Sequence, residues 1–534
     1  MIREKISKAN LNAPSIILIA TLWVVLILNI TFTKNIFNDY PDLWSNFVFY
    51  FQIFLFIAGL FVFELMLLAT VMSLRLAVSV SILTASLASY FMNTYSVIFD
   101  AVMIRNLFET NTAEASDLMT LGLMLNVFLT GVLPILLLWL MPFKANGIWH
   151  SIKFRITAAF VALLLILSSV VIDSAKMTSF AREHRNIHVY ANPIYPFYST
   201  FRYAQEVWPF KEELFYHEIT QITEVSPQPI KNVTILIIGE TARADHFSQN
   251  GYHRQTNIYT SEHPEIINFN HFYSCGTSTS ISVPCMFSYQ NQDSFDVTIA
   301  PFEENVLDTL ARAGVEVVWR DNNSGSKHVA DRVTYQDYSR PVNESYVCAG
   351  ECRDETLLTG LDELIRSSNG DVLIVLHQMG SHGPAYFQRY DETFEVFTPV
   401  CLSSELSQCT QNEIINAYDN SIIYTDYVIN ESIKLLEKFN AYSTNVIYIS
   451  DHGESLGEAG LYLHGLPYGF APESQTHVPA MVWSGDRSNI DRALTSKNSE
   501  NVYTHDNLAQ TLLSLFGIST TNSKELPQSF IVFR

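Results

Sequence analysis

The chain has 534 residues, 48 % of them apolar and only 16 % charged, with a formal net charge of −21. Residues 1–173 hold nine basic and nine acidic residues, so the whole acidic excess falls beyond them. A part that acidic has no basic face with which to release phosphate counterions, which excludes nucleic-acid binding, and 13 % aromatic residues fill a large core, which excludes disorder.

Five apolar stretches, roughly 14–33, 47–72, 76–93, 118–141 and 156–173, reach the ~20 residues that a bilayer crossing needs. No small-residue cleavage site follows the first, which reads as an anchor and not as a removable signal. Arg3, Lys5, Lys8, Arg75, Lys144, Lys153 and Arg155 fall on one side of the alternating loops, against Lys34 and Arg105 on the other. The positive-inside rule then sets the N-terminus in the cytoplasm and everything after residue 173 outside it. Glu64 lies inside the second stretch, where a carboxyl is costly; it reads as a functional candidate or as a neutral acid packed between helices. The loop 94–116 is polar, aromatic and outward-facing. Segment 174–230, with Tyr190, Phe197 and Trp208, is an aromatic-rich connector suited to the membrane–water interface, or a linker helix with buried rings. The expected division is a transmembrane domain over 1–173, an interfacial linker over 174–230 and an outer domain over 231–534.

All six cysteines lie in the outer part and fall into three local couples, Cys275–Cys285, Cys348–Cys352 and Cys401–Cys409. Local couples in an oxidising compartment predict three disulfides. A zinc cluster fails on spacing, since only Cys348 and Cys352 resemble a ligand pair.

From residue 231 short apolar runs alternate with helical stretches, which predicts a parallel sheet with crossover helices. The runs are Val233–Ile238, Val315–Trp319, Val372–Leu376 and Val446–Ile449; the helical stretches are Val306–Ala313, Glu355–Arg366 and Asn412–Phe439. Each run is followed at once by polar residues, and in open α/β sheets ligands gather beyond the carboxyl ends of the strands. The first run leads to Glu240 and the fourth to Asp451 and His452. If those strands are neighbours, two carboxylates and an imidazole meet, a donor set that suits Zn²⁺ with one position left open. The hydroxyl run Thr277-Ser278-Thr279-Ser280 reads as a helix N-cap or as a nucleophile beside that site, and composition does not choose among the four. His377, His382 and His464 stand on glycine-flanked loops, which favours ligand, phosphate-donor or general-acid roles over a satisfied core histidine. Lys327, after the second run, reads as a phosphate-binding cation or as a solvated lysine.

These residues stand in blocks: Ile238-Gly-Glu-Thr-Ala-Arg-Ala-Asp245, Ser274-Cys-Gly-Thr-Ser-Thr279, Ser282-Val-Pro-Cys-Met-Phe287, Trp319-Arg-Asp-Asn-Asn323, His377-Gln-Met-Gly, His382-Gly-Pro-Ala-Tyr-Phe387 and Ser450-Asp-His-Gly-Glu-Ser-Leu-Gly457. In order and spacing they resemble the membrane-anchored lipid A phosphoethanolamine transferases, the family that includes the mobile colistin-resistance enzymes. The resemblance implies an α/β fold: a five-helix transmembrane domain followed by a doubly wound periplasmic domain of the alkaline-phosphatase/sulfatase type. It implies that Thr279 is the nucleophile, that Glu240, Asp451, His452 and Thr279 hold zinc, and that Asn323, Lys327, His382, Glu454 and His464 surround the phosphoethanolamine group, with His377 beside them and some able to hold a second zinc. Tyr95, Asn106 and Glu114 match the family's substrate-contacting residues on the membrane side. The loop from Cys348 to Cys352 is shorter than in the mobile enzymes.

The implied function is transfer of phosphoethanolamine from phosphatidylethanolamine to a phosphate of lipid A through a phospho-threonine, with His382 and His464 as general acid and base. The added amine lowers outer-membrane negative charge and gives polymyxin resistance. The implied setting is the bacterial inner membrane, as a monomer. The rival readings are transfer of phosphoethanolamine or phosphoglycerol to another envelope glycan, and an inactive lipid- or metal-binding receptor. A sulfatase is disfavoured, because no formylglycine motif stands at the nucleophile.

Overall fold

Apolar sequence that leaves water winds into helices, because its backbone groups then find partners only within the segment. The computed structural model describes residues 12–110, 112–143, 147–207, 215–339, 348–349 and 351–534. Arg3, Lys5, Lys8, Lys144 and Trp208, and the side chains of Glu114 and Cys348, lie outside the described residues. Among the described residues four helices are long and apolar enough to cross a membrane: Phe47–Val71, Leu74–Tyr95, Leu121–Leu140 and Ile148–Ile172. A fifth crossing is made if Ala13–Ile27 and Ile30–Asp39, bent by 54°, act together.

The apolar stretch over 14–33 is divided between two helices, and Asn29 stands at the break. Its amide donates to the Val24 carbonyl at 3.0 Å and to the Asn192 carbonyl at 2.6 Å, while its Oδ1 accepts the Asn192 N–H at 2.9 Å. A buried side chain that captures the preceding turn's carbonyl ends the ladder there. The last helix begins at Ile148 and not at 156. Ile16, Ala20 and Val24 pack with Phe61, Leu65, Ala77 and Ala85 in the core of this bundle.

The chain forms two compact units, Met1–Ile104 with Met119–Gln205, and Arg105–Leu118 with Glu206–Arg534. The second unit holds a seven-stranded sheet of β1 Asn232–Gly239, β2 Ile267–Phe269, β3 Glu316–Asp321, β4 Thr334–Asp337, β5 Val372–His377, β6 Ser443–Ser450 and β7 Ala480–Ser484. Their order is β2-β7-β6-β1-β5-β3-β4. The strands from β6 through β4 run parallel and β7 runs against both its neighbours, so the sheet is mixed. The four runs read from sequence are four adjacent strands. β2, β4 and β7 are additional, two of them only three and four residues long.

Leu236, Ile238, Leu373, Val375, Ile447 and Ile449 form one buried face, closed by Leu310 and Leu512 from the helices Val306–Arg312 and Leu508–Leu515. The helix Gln411–Glu437 packs against β6, with Thr410 and Glu413 forming a capping box at its start. The helix expected over Glu355–Arg366 is divided by Gly360, whose φ of +68° belongs to the left-handed region, into a turn Asp354–Leu358 and a helix Leu361–Ser367. Disulfides join Cys275 to Cys285 and Cys401 to Cys409. Cys352 is also disulfide-bonded, and its backbone pairs with Cys348 across a tight hairpin.

Candidate active site

Parallel pairing of β1 with β6 sets Gly239 opposite Ser450, so the residues that follow, Glu240 and Asp451, leave the sheet side by side. Both are fully buried, as is His452. His452 Nδ1 donates to the Gly453 carbonyl at 2.9 Å, which turns its Nε2 lone pair toward the acids. Nε2 lies 3.4 Å from Glu240 Oε1, 3.3 Å from Asp451 Oδ2 and 3.4 Å from the Thr279 hydroxyl. The Thr279 hydroxyl in turn donates to Glu240 Oε2 at 3.1 Å, and that oxygen accepts the Asn323 amide at 2.8 Å.

The other three hydroxyls of the run face elsewhere. Thr277 donates to the Leu466 carbonyl at 2.6 Å, Ser278 and Ser280 lie 3.3 Å apart, and the Ser280 hydroxyl donates to Asn106 Oδ1. Ser278 is the N-cap of the helix Thr279–Met286, so Thr279 stands on its first turn, where free N–H groups and the positive dipole end favour an anion.

The backbone is bent to make this junction. Thr241 has φ +59° and is held by its N–H to Asp451 Oδ1 at 3.1 Å and by the Tyr418 hydroxyl on its carbonyl at 2.8 Å. Gly380, at φ +52°, fits only because it lacks a side chain, since a Cβ there would lie 2.6 Å from the Glu240 carbonyl. Strain of this kind persists where the surroundings over-determine it.

Asp451 Oδ2, buried, has no hydrogen-bond partner among the described residues. Glu240, His452 and His464 present ligand atoms within 4.8 Å of one another. Burial opposes ionisation of Glu240, but the imidazoles of His452, His382 and His464 hold its carboxyl low; burial and the Glu240 carboxylate then push Asp451 up. Two buried carboxylates beside one imidazole, with one carboxylate oxygen left without a hydrogen bond, are a donor set for a cation. Oxygen and nitrogen donors without thiolate suit Zn²⁺.

Around this core His464 Nδ1 lies 2.7 Å from Glu454 Oε2, and Glu454 Oε1 accepts the Tyr386 hydroxyl at 2.6 Å. Burial pushes Glu454 up to about 8 and His464 down to about 3. The His464 ring stands 4.3 Å from that of His452 and 5.4 Å from that of His382. Lys327 reaches the Ser324 carbonyl at 3.0 Å and Glu109 at 3.7 Å, and lines a cavity of 1060 Å³ with Arg105, Ser280 and Tyr335.

Two residues singled out in the sequence are buried. His377 is not on a loop: β5 extends one residue further than its apolar run, and His377 is fully buried with Nδ1 3.0 Å from Asp321 Oδ2. Tyr95, in the first unit, is 2 % exposed and packs on Tyr90 and Phe91. Ser282 and Tyr386 stand within the motif blocks but without a role assigned to them, and Tyr418 stands outside the blocks; the Ser282 hydroxyl donates to the Asp451 carbonyl. The period-3 and period-4 spacing of apolar residues gives no sign of these.

A family model described as sulfatase matches residues 232–518, and one described as phosphoethanolamine transferase EptA/EptB matches residues 55–207. The chain is 39 % identical over 515 residues to phosphatidylethanolamine transferase Mcr-1 of Escherichia coli, covering 93 % of both. The chain belongs to the phosphoethanolamine transferase family. It is also 36 % identical over 536 residues to phosphoethanolamine transferase EptA of Salmonella typhimurium, covering 98 % of this chain and 97 % of that protein. The integral membrane lipooligosaccharide phosphoethanolamine transferase EptA of Neisseria meningitidis superposes with a TM-score of 0.91 at 31 % identity, over 97 % of this chain and 98 % of that one. The alkaline-phosphatase/sulfatase-like α/β unit and the apolar N-terminal helices are therefore those of a phosphoethanolamine transferase.

Proposed function

We propose that this transferase moves phosphoethanolamine from phosphatidylethanolamine to a phosphate of lipid A through a phosphothreonine at Thr279. The observation that carries the reading is the Thr279 hydroxyl, the one member of its run aimed at Glu240 and His452. Thr279 Oγ1 attacks the phosphorus of the phosphodiester, the bond to diacylglycerol breaks, and diacylglycerol leaves with a proton. A lipid A phosphate oxygen then attacks the same phosphorus and the bond to Thr279 breaks, restoring the hydroxyl. His464 and His382 would give and take these protons, and the Tyr386–Glu454 chain supports the His464 ring.

Glu240, Asp451, His452 and Thr279 would hold Zn²⁺, which when bound favours ionisation of the threonine hydroxyl and offsets charge building on the phosphoryl oxygens. Lys327 and the first turn of the helix Thr279–Met286 add positive potential on the phosphate side. Asn323 orients Glu240. Asn106 enters through its bond to Ser280, beside the nucleophile.

The expected location is the inner membrane with the second unit in the periplasm, where donor and acceptor lipids are tethered near the site. The names of two relatives support the substrates: Mcr-1 is a phosphatidylethanolamine transferase, and an Escherichia coli relative, 34 % identical over 284 residues, is a Kdo(2)-lipid A phosphoethanolamine 7''-transferase. The added amine would weaken binding of cationic peptides such as colistin. Mass spectrometry of lipid A from cells with and without the chain tests this: a phosphoethanolamine increment is the expected result, and unchanged lipid A with a modified core sugar would move the acceptor elsewhere.

A further inference from the structure

Arg389 and Asp117 lie outside every motif discussed so far. Arg389 is 4 % exposed and Asp117 8 %. Arg389 Nη2 lies 2.5 Å from Asp117 Oδ2, and Arg389 Nε donates to the carbonyl of His382 at 2.7 Å. One planar cation thus ties two segments 272 residues apart, and one of them carries His382.

A buried ion pair adds little net stability, because desolvating both charges offsets their attraction; its best-attested use is to fix register. The register fixed here is that of segment Arg105–Leu118. Toward the other end of this segment the Ser280 hydroxyl donates to Asn106, one residue from Thr279, and Glu109 lies 3.7 Å from Lys327. The segment is therefore pinned beside the nucleophile at one end and beside the His382 loop at the other. That loop has its own anchor in Asp354, which accepts the N–H groups of Met379 at 2.8 Å and Gly380 at 2.9 Å. Arg389 joins the anchored loop to the segment. A guanidinium suits this task and an ammonium does not, since only the fork presents two rigidly spaced donors to a carbonyl and a carboxylate at once.

We propose that Arg389 and Asp117 are positioning residues for the transfer: the pair holds segment 105–118 in register with His382, so that the lipid headgroup is gripped on both sides and water is kept from the phosphothreonine. The inference rests on the transfer reading above. The test uses the purified full-length protein in detergent with phosphatidylethanolamine, with and without lipid A. It measures KM for the donor, adduct on Thr279, and the share of adduct lost to water as free phosphoethanolamine.

Arg389→Lys keeps the charge but reaches one partner at a time, and Asp117→Asn keeps the shape but loses the charge. Each should lower kcat/KM by roughly ten- to a hundredfold, the scale of a small misplacement, with a raised KM, a larger share lost to water and unchanged zinc content. Asp117→Glu should recover part of the loss. Variants that lower only the yield of folded protein, with KM and the water share as in the wild type, would overturn the inference. Absence of any Thr279 adduct in the wild type would instead refute the covalent reading, and the donor KM of the variants would still decide the role of the pair.

Discussion

Thr279→Ala separates the chemistry of the site from its folding. Thr279 opens the helix Thr279–Met286 and Ser278 caps it, so alanine keeps the helix start. The hydroxyl donates to Glu240 at 3.1 Å, and that same oxygen retains the Asn323 amide at 2.8 Å, so no buried acceptor is orphaned. The expected loss of stability is about 1 kcal/mol, the net worth of one hydrogen bond, which lowers the melting temperature by roughly 1–2 °C in a unit of this size. Loss of an attacking oxygen should instead slow transfer by roughly 10⁴-fold or more, about 5 kcal/mol of barrier. The assay is mass spectrometry of lipid A after incubation with phosphatidylethanolamine, alongside a search for a phosphoethanolamine increment on the Thr279 peptide when acceptor is withheld. An adduct on Ser278 or Ser280 would move the nucleophile, and an alanine variant that still modifies lipid A would refute covalent transfer in favour of direct attack by the lipid A phosphate.

Chelation should abolish transfer and Zn²⁺ should restore it; Asp451→Asn should weaken zinc binding at least tenfold by calorimetry, and an unchanged affinity would remove Asp451 from the donor set. His505 accepts the Cys275 N–H on Nδ1 at 3.0 Å and donates from Nε2 to the Ser450 carbonyl at 3.0 Å, so the fold holds it neutral, and burial pushes it down to about 4 from 6.5. Below pH 6.5 the unfolded chain binds the extra proton and the folded one does not, so this residue should withdraw stability between pH 6.5 and 4, up to about 3 kcal/mol; denaturant unfolding of His505→Gln with the same pH slope as the wild type would contradict it. A periplasmic reporter at the C-terminus should be active and one at Lys144 inactive, and the reverse would overturn the orientation. Non-reducing peptide mapping should recover the three local cysteine pairs, Cys348 with Cys352 among them, and a free thiol at Cys348 would break that assignment.

The parts of the fold legible in sequence are those written in consecutive residues. Val233–Ile238 and Val446–Ile449 are buried on both faces, so their apolar runs announce strands, and the polar residues after them, Glu240, Asp451 and His452, announce the sheet edge where chemistry gathers. What the runs leave open is which strands are neighbours; pairing of β1 with β6 decides it, and with it the meeting of the two acids. His377 was misplaced for a related reason. An apolar run marks the part of a strand that touches apolar neighbours, whereas pairing continues to the residue that faces Asp321. Asn29 was passed over because a single polar residue in an apolar stretch carries no period; only its bonds to Val24 and Asn192 show that it ends a helix.

The excursion Arg105–Leu118 was harder still, and its physics explains why. Among the described residues its contacts within the second unit include Asn106 with Ser280, Glu109 with Lys327 and Asp117 with Arg389, all far along the chain. Each joins polar or charged side chains, and composition reads such residues as a solvated loop. A burial pattern encodes which face of an element is dry, but nothing in it encodes which carboxylate a distant arginine will find. The catalytic acids escape this limit because their partners, too, stand at strand ends, where topology brings every candidate to the same edge. Arg389 stands after a short turn and Asp117 near the end of a seven-residue helix, so no such rule gathers them. Contacts that set register between segments are the ones a single sequence conceals, and in this transferase they border the site that the motifs reveal.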